Sequence, residues 1–231
     1  MDTPHPDRFR VWLESTRPAT LPLALASILM GSALAAWLGG FNWEIAVLCL
    51  LTALLLQILS NLANDYGDAQ KGGDRQRIGP LRGMHKGLVN RAQMRQAIFI
   101  CVTLCVLSGS LLIAQACRKP GDIAGFFALG ILSIVAAITY TMGRRCYGYL
   151  GLGDISVLIF FGWTGVIGSC YLQTGYLTAS LLLPATAYGL LAAAVLNINN
   201  MRDIVSDRLN GKNTLAVRLG PLHARYYHLL L

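Results

Sequence analysis

Five stretches of this chain contain no Asp, Glu, Lys or Arg: 18–43, 45–64, 96–117, 123–143 and 155–201. The first four run for 26, 20, 22 and 21 residues and the fifth for 47. A helix needs about 20 apolar residues to cross the hydrocarbon layer of a membrane. Each of the first four runs therefore predicts one span, and the fifth predicts two, divided at the polar Gln173-Thr174-Gly175. The tail 226–231 is the candidate opening of a seventh. The runs are continuous rather than alternating, which excludes a membrane β-barrel. The first run is too long for a signal peptide and lacks a cleavage pattern. The predicted fold is an all-α, polytopic transmembrane helix bundle with six complete spans.

Charge sets the orientation. Counting Lys and Arg loop by loop places 17 on the side of the N-terminus and 2 on the other, seven of the 17 in the loop between spans two and three. By the positive-inside rule the N-terminus is cytoplasmic. Charged residues are only 13% of the chain despite a net charge of +8. A nucleic-acid binder would be basic and also richly charged, so that class is excluded. The six cysteines include no C-x-x-C or zinc spacing and read as small reduced hydrophobes.

Carboxylates close to a membrane core are costly and need partners. Six lie at cytoplasmic helix ends or loops beyond the N-terminal segment: Asp65, Asp68, Asp74, Asp154, Asp203 and Asp207. Four of them form two matching groups. Span two ends with Asn61, Asn64, Asp65 and Asp68, and span six ends with Asn199, Asn200, Asp203 and Asp207. If each helix continues, Asn61, Asp65 and Asp68 share one face, and so do Asn199, Asp203 and Asp207. Both spans run inward, so these anions sit at helix C-termini, where the macrodipole disfavours them. A bound cation resolves the conflict, and an oxygen-only set of Asp and Asn suits Mg²⁺ or Mn²⁺. Magnesium completes its shell with water and phosphate oxygens, and the neighbouring basic loop suits the same ligand, a diphosphate. Anionic lipid alone also accounts for that loop. Read from residue type, Tyr140 and Trp163 are packing or interface residues, and Gly31/Ala35 and Gly125/Leu129/Gly130 are helix-packing pairs.

At these residues the sequence resembles the UbiA superfamily of intramembrane aromatic prenyltransferases. The strings Asn64-Asp65-Tyr66-Gly67-Asp68 and Asp203-Ile204-Val205-Ser206-Asp207 match the two aspartate motifs of that family. The family's third aspartate of the first motif would fall at Gly72, whereas the next carboxylate is Asp74. Tyr140-Thr141-Met142-Gly143-Arg144 looks like the family's Y-x-x-x-K with Arg in place of Lys. Longer strings, among them Arg17-Pro18-Ala19-Thr20, 59–68, 77–83, 151–156, 196–203 and 211–214, resemble the branch that acts on 1,4-dihydroxy-2-naphthoate. The resemblance runs from about residue 12 to 225. It implies one transmembrane prenyltransferase domain over 1–231, shortened at its C-terminus relative to the nine spans usual in the family.

What the resemblance implies is transfer of a polyprenyl group from polyprenyl diphosphate to 1,4-dihydroxy-2-naphthoate in menaquinone biosynthesis, at the cytoplasmic side of a bacterial inner membrane. Asp65 and Asp68 would hold one Mg²⁺ (or Mn²⁺) and Asp203 and Asp207 another, with Asn61, Asn64 and Asn199 completing the shells. Arg82, Lys86, Arg144, Arg145 and Arg202 are candidates for the diphosphate, Tyr140 for the substrate site, and Asp154 for positioning the acceptor or taking its proton. Membrane lipid would flank the prenyl channel. Two alternatives stand beside this reading: another aromatic acceptor such as 4-hydroxybenzoate, and a secondary anion transporter. The latter would place its binding residues near the bilayer midplane.

Overall fold

The computed structural model describes residues 8–71, 84 and 87–231. Among these the secondary structure is entirely helical, and six helical segments are long and apolar enough to cross a membrane. The first span combines α1 (Arg8–Thr16) and α2 (Leu21–Trp37), joined through a short 3₁₀ turn at Pro18–Thr20. The others are α3 (Trp43–Gln70), α4 (Arg91–Ala116), α5 (Pro120–Thr139), a composite fifth span over Gly153–Thr174 and a sixth over Ala179–Arg202. The fifth consists of α6 (Gly153–Val157), a π-helical stretch over Leu158–Ile167 and α7 (Gly168–Thr174). Helix α8 (Leu182–Arg202) forms most of the sixth, followed by α9 (Ile204–Leu209) and α10 (Leu215–Leu230). All six spans expected from the charge-free runs are present.

Local chemistry explains the boundaries. Asn42 caps α3 by accepting from the amides of Glu44 and Ile45, and Asn90 opens α4 with a reciprocal capping box to Gln93. Pro120 occupies the first turn of α5, where its missing amide hydrogen costs nothing. The fifth span ends where expected, at Thr174, with Gly175 at φ 75° as its left-handed cap.

Helix α3 is the organising element, packed along α4, α2 and α5, while the π-helical stretch packs along α8 and α2. The closest approaches use glycine. A Cβ on Gly162 would lie 2.6 Å from the Ala185 carbonyl, and one on Gly31 would lie 2.4 Å from the Val166 carbonyl. Gly125 and Gly130 behave differently: a Cβ on either meets no described atom within 4 Å. Their spacing invites helix packing, but α5 stands at the edge of the bundle and has no buried residue. All six cysteines are reduced and buried, as their spacing predicts.

Candidate active site

A cavity of about 1000 Å³ opens between the spans, at the top of the usual size range for small-molecule sites. Its deep walls are apolar, formed by Leu23, Leu56, Leu112, Phe126, Phe160 and Phe161 among others. Its polar end gathers Arg17, Asn61, Asn64, Asp68, Tyr140, Asn199, Arg202, Asp203 and Lys212. Asp68 from the first motif and Asp203 from the second thus face one space.

The first motif lies on an unbroken helix, since α3 continues to Gln70. Asp65 is wholly buried and accepts from Arg17 Nη2 at 2.7 Å. Asp68 is 8% exposed and accepts from the Tyr149 hydroxyl at 3.2 Å. Asn64 accepts at 3.0 Å from the hydroxyl of Thr141, which also donates to the Ala63 carbonyl at 3.1 Å. Gly67 makes this contact between α3 and the end of α5 close enough to form. Asn61, expected to complete a metal shell, also donates its side-chain nitrogen to the Thr16 carbonyl at 2.8 Å and the Thr20 hydroxyl at 3.0 Å, bonds that leave its carbonyl oxygen as the atom a metal would use.

The second motif departs from the continuous helix considered above. Helix α8 stops at Arg202, and Asp203 takes φ −97°, ψ 9° before α9 begins. The hydrogen bonds Asp203 N to Asn199 O and Asp207 N to Asp203 O nevertheless keep the four-residue spacing, so the carboxylates stay one turn apart. The Arg202 guanidinium forks onto both oxygens of Asp203 at 2.8 Å. Asp207 is buried with Lys212 Nζ 3.7 Å away. Asn199 donates to the Val195 carbonyl of its own helix, and Asn197 ties α8 to the Ala224 carbonyl of α10.

Tyr140 joins the two halves. Its ring packs edge-on to Tyr147, with centroids 5.2 Å apart. Burial foremost, then Tyr147 and the carboxylates of Asp154, Asp68 and Asp207, push its hydroxyl above the ordinary phenol range. It therefore carries its proton and can only donate or accept a hydrogen bond, not act as an anion. Glycines at 148 and 153 make room for it, because a Cβ on either would come within 3.0 Å of its ring or hydroxyl.

The remaining candidates fall elsewhere. Arg144 and Arg145 are exposed on the loop after α5 and are not among the residues lining the cavity. Asp154 is buried at the start of α6, accepts from the Tyr227 hydroxyl at 3.5 Å and does not line the cavity. Arg82 and Lys86 lie outside the described residues. Conversely, two residues of the polar end, Arg17 and Lys212, were absent from the candidates, as was Tyr149, which holds Asp68 without lining the cavity. Lys71 stands beside them, its Nζ 3.9 Å from the centroid of the Tyr149 ring. The signal for Arg17 and Lys212 was present in the strings 17–20 and 211–214, which carried the family resemblance without an assigned role.

Among the described residues no three of His, Cys, Asp and Glu stand close enough to hold one ion. Each motif supplies a pair of carboxylates, the number Mg²⁺ usually takes from protein.

Comparison with known proteins adds to this geometry. A family model described as the UbiA prenyltransferase family matches residues 24–231. The chain is 63% identical over 225 residues to the 1,4-dihydroxy-2-naphthoate octaprenyltransferase of Escherichia coli, a match covering 97% of this chain and 73% of that one. It is 56% identical over 228 residues to the protein of the same name from Haemophilus influenzae, covering 97% and 74%. A Mycobacterium tuberculosis protein of that name is 38% identical over 217 residues, covering 94% and 72%.

Proposed function

This chain belongs to the UbiA prenyltransferase family, and we propose that it transfers a polyprenyl group from polyprenyl diphosphate to 1,4-dihydroxy-2-naphthoate, the step that commits the naphthoate ring to menaquinone. The observation that carries this reading is the meeting of two aspartate motifs, from α3 and the end of α8, at the polar end of one apolar cavity. Such a cavity suits a molecule with an anionic head and a long hydrocarbon tail. A transport site at the bilayer midplane is a poorer match, because the carboxylates cluster at one end of the spans.

The family depends on a divalent metal, and the donor set fits one. All candidate ligands are oxygen, which suits a hard cation. Asp65 and Asp68 lie in the last turns of α3 and Asp203 directly follows α8, where an added positive charge offsets the macrodipole. Asp65 with Asp68, and Asp203 with Asp207, would hold the ions, and Mg²⁺ is the metal we assign. A bound divalent ion supplies charge neutralisation of the departing diphosphate.

The chain's own residues account for the rest. Arg17, Arg202 and Lys212 at the polar end present donors to the diphosphate oxygens, which favours ionisation of the allylic C–O bond. Tyr140, protonated and wedged between the motifs, orients the head group by hydrogen bonding. The apolar walls exclude water from the allylic cation until the electron-rich ring attacks it. The ring then loses its carboxylate as CO₂, which restores aromaticity without a protein base at that carbon. This leaves Asp154 a positioning role through Tyr227. With its N-terminus cytoplasmic, the chain takes both substrates from the cytoplasmic side of the inner membrane.

The test is product analysis. Membranes containing the chain are incubated with dihydroxynaphthoate, polyprenyl diphosphate and Mg²⁺, and extracts are examined for demethylmenaquinol. Prenylated 4-hydroxybenzoate in a parallel incubation, with no naphthoate product, would overturn the acceptor assignment.

A further inference from the structure

Arg17 marks the break in the first span, and it holds a conformation its sequence disfavours. Among the described residues it is the one non-glycine with positive φ, at φ 52° and ψ 69°. A Cβ makes that region unfavourable, and a residue ahead of proline prefers an extended backbone. Strain of this kind persists only where the surroundings hold it. Here Asn61 clamps both flanks, at the Thr16 carbonyl and the Thr20 hydroxyl. The Thr20 hydroxyl and amide both donate to the Arg17 carbonyl, at 3.0 and 2.9 Å. One turn further along the same face of α3, Asp65 receives the guanidinium at 2.7 Å. Two residues on one helix face thus hold a strained arginine against a wholly buried carboxylate.

This matters for the metal reading above, on which the inference rests. Asp65 is one of the carboxylates assigned to an ion, and Arg17 is a cation already drawing on it. Two cations competing for one carboxylate oppose each other's binding, and the opposition is reciprocal. We propose that Arg17 is a resident counter-cation of Asp65: a positioning residue that holds the first motif before the ion arrives and turns toward the diphosphate when it does. Three features fit this transfer. The Arg17 side chain lines the cavity and is 22% exposed, so it has somewhere to go. Its backbone strain favours release once Asp65 is engaged by another cation. Its planar fork matches phosphate oxygens.

The experiment reads metal binding without turnover. The chain is placed in lipid nanodiscs and its thermal unfolding midpoint is titrated with MgCl₂, comparing wild type, Arg17→Gln and Arg17→Lys. Removing the competing charge lowers the half-saturating Mg²⁺ by about fivefold or more in Arg17→Gln, whereas Arg17→Lys stays within about twofold of wild type. A purely structural arginine would lower the midpoint of both variants and leave half-saturation unmoved. A second measurement uses wild type alone: hydrogen exchange over residues 16–21 accelerates when Mg²⁺ saturates the protein, because the clamp loses its charged anchor. Unchanged half-saturation in Arg17→Gln, or unchanged exchange over 16–21, overturns the counter-cation role and leaves the metal assignment standing. Absence of any Mg²⁺ effect on wild type overturns both.

Discussion

Gly67→Ala sets two opposed effects against each other within the first motif. Glycine in a helix interior costs about 1 kcal/mol relative to alanine, so propensity alone predicts a more stable protein. The contact predicts the reverse. A Cβ at position 67 would stand 2.7 Å from the Thr141 carbonyl oxygen and 2.8 Å from its carbonyl carbon and hydroxyl. Ordinary contact begins near 3.4 Å, so α3 and the segment after α5 must separate by about 0.7 Å, and backbone atoms cannot rotate aside. Overpacking of this kind costs about 1–3 kcal/mol, which outweighs the propensity gain. The same displacement takes the Thr141–Asn64 hydrogen bond from 3.0 Å toward about 3.7 Å, past the limit for a hydrogen bond. Asp68, the next residue, moves with it. We expect a midpoint lower by a few degrees and a prenyl-transfer rate reduced by about tenfold to a hundredfold, since an ångström of misplacement costs about that much. Gly125→Ala is the control, because its Cβ enters open space and should leave both quantities unchanged or raise the midpoint. If Gly67→Ala matches wild type in midpoint and rate, the close contact does not position the motif.

Asp65→Asn and Asp203→Asn should each abolish turnover while the protein still inserts, read as product formation against the amount of chain in washed membranes; wild-type rates in either would sink the metal assignment. Treatment with EDTA should stop the reaction, and added Mg²⁺ should restore it; activity that survives exhaustive chelation would argue against a metal at either motif. Burial foremost, then the Asp68 carboxylate, holds the Tyr149 phenol above its ordinary range. Its folded value is raised, so its contribution to stability is complete below the ordinary phenol value of about 10 and is lost as pH climbs through the folded value. Phenolate absorbance at pH 10 should therefore be equal in wild type and Tyr149→Phe, and a larger signal in wild type would refute the shift.

Spans and motifs were legible because their signals are local. A charge-free run of sufficient length is a helix in lipid whatever its neighbours do, and all six were readable from where charge stops and starts. The two carboxylate groups stood out because anions at membrane helix ends demand an explanation. What escaped depends on long-range hydrogen bonds. Asn61 has the spacing of a ligand, but nothing in that spacing shows that its side-chain nitrogen also braces Thr16 and Thr20, 45 and 41 residues away. Arg17 read as an orientation charge because nothing local reveals a positive φ or a partner on α3. Lys212 reaches the site from the segment between α9 and α10, and Tyr149 from a short 3₁₀ turn ahead of α6, neither of which a local pattern aims at the motifs. The small residues of α5 show the converse error, where a packing pattern at Gly125 and Gly130 meets no neighbouring helix.

The π-helical stretch over Leu158–Ile167 gives the fifth span a property that the other spans lack. A π-helix carries more residues per turn than an α-helix, as if extra residues had been inserted into a regular ladder. The surplus can be withdrawn. Deleting one residue within 158–167 can restore α-helical hydrogen bonding locally, whereas the same deletion in α3 would rotate Asp65 and Asp68 off their face. The walls at Phe160, Phe161 and Thr164 thus occupy a segment with a residue to spare, pinned to its neighbours at Gly162 and Gly165. That segment is where the cavity could be reshaped for a different substrate while the motif ends stay in register.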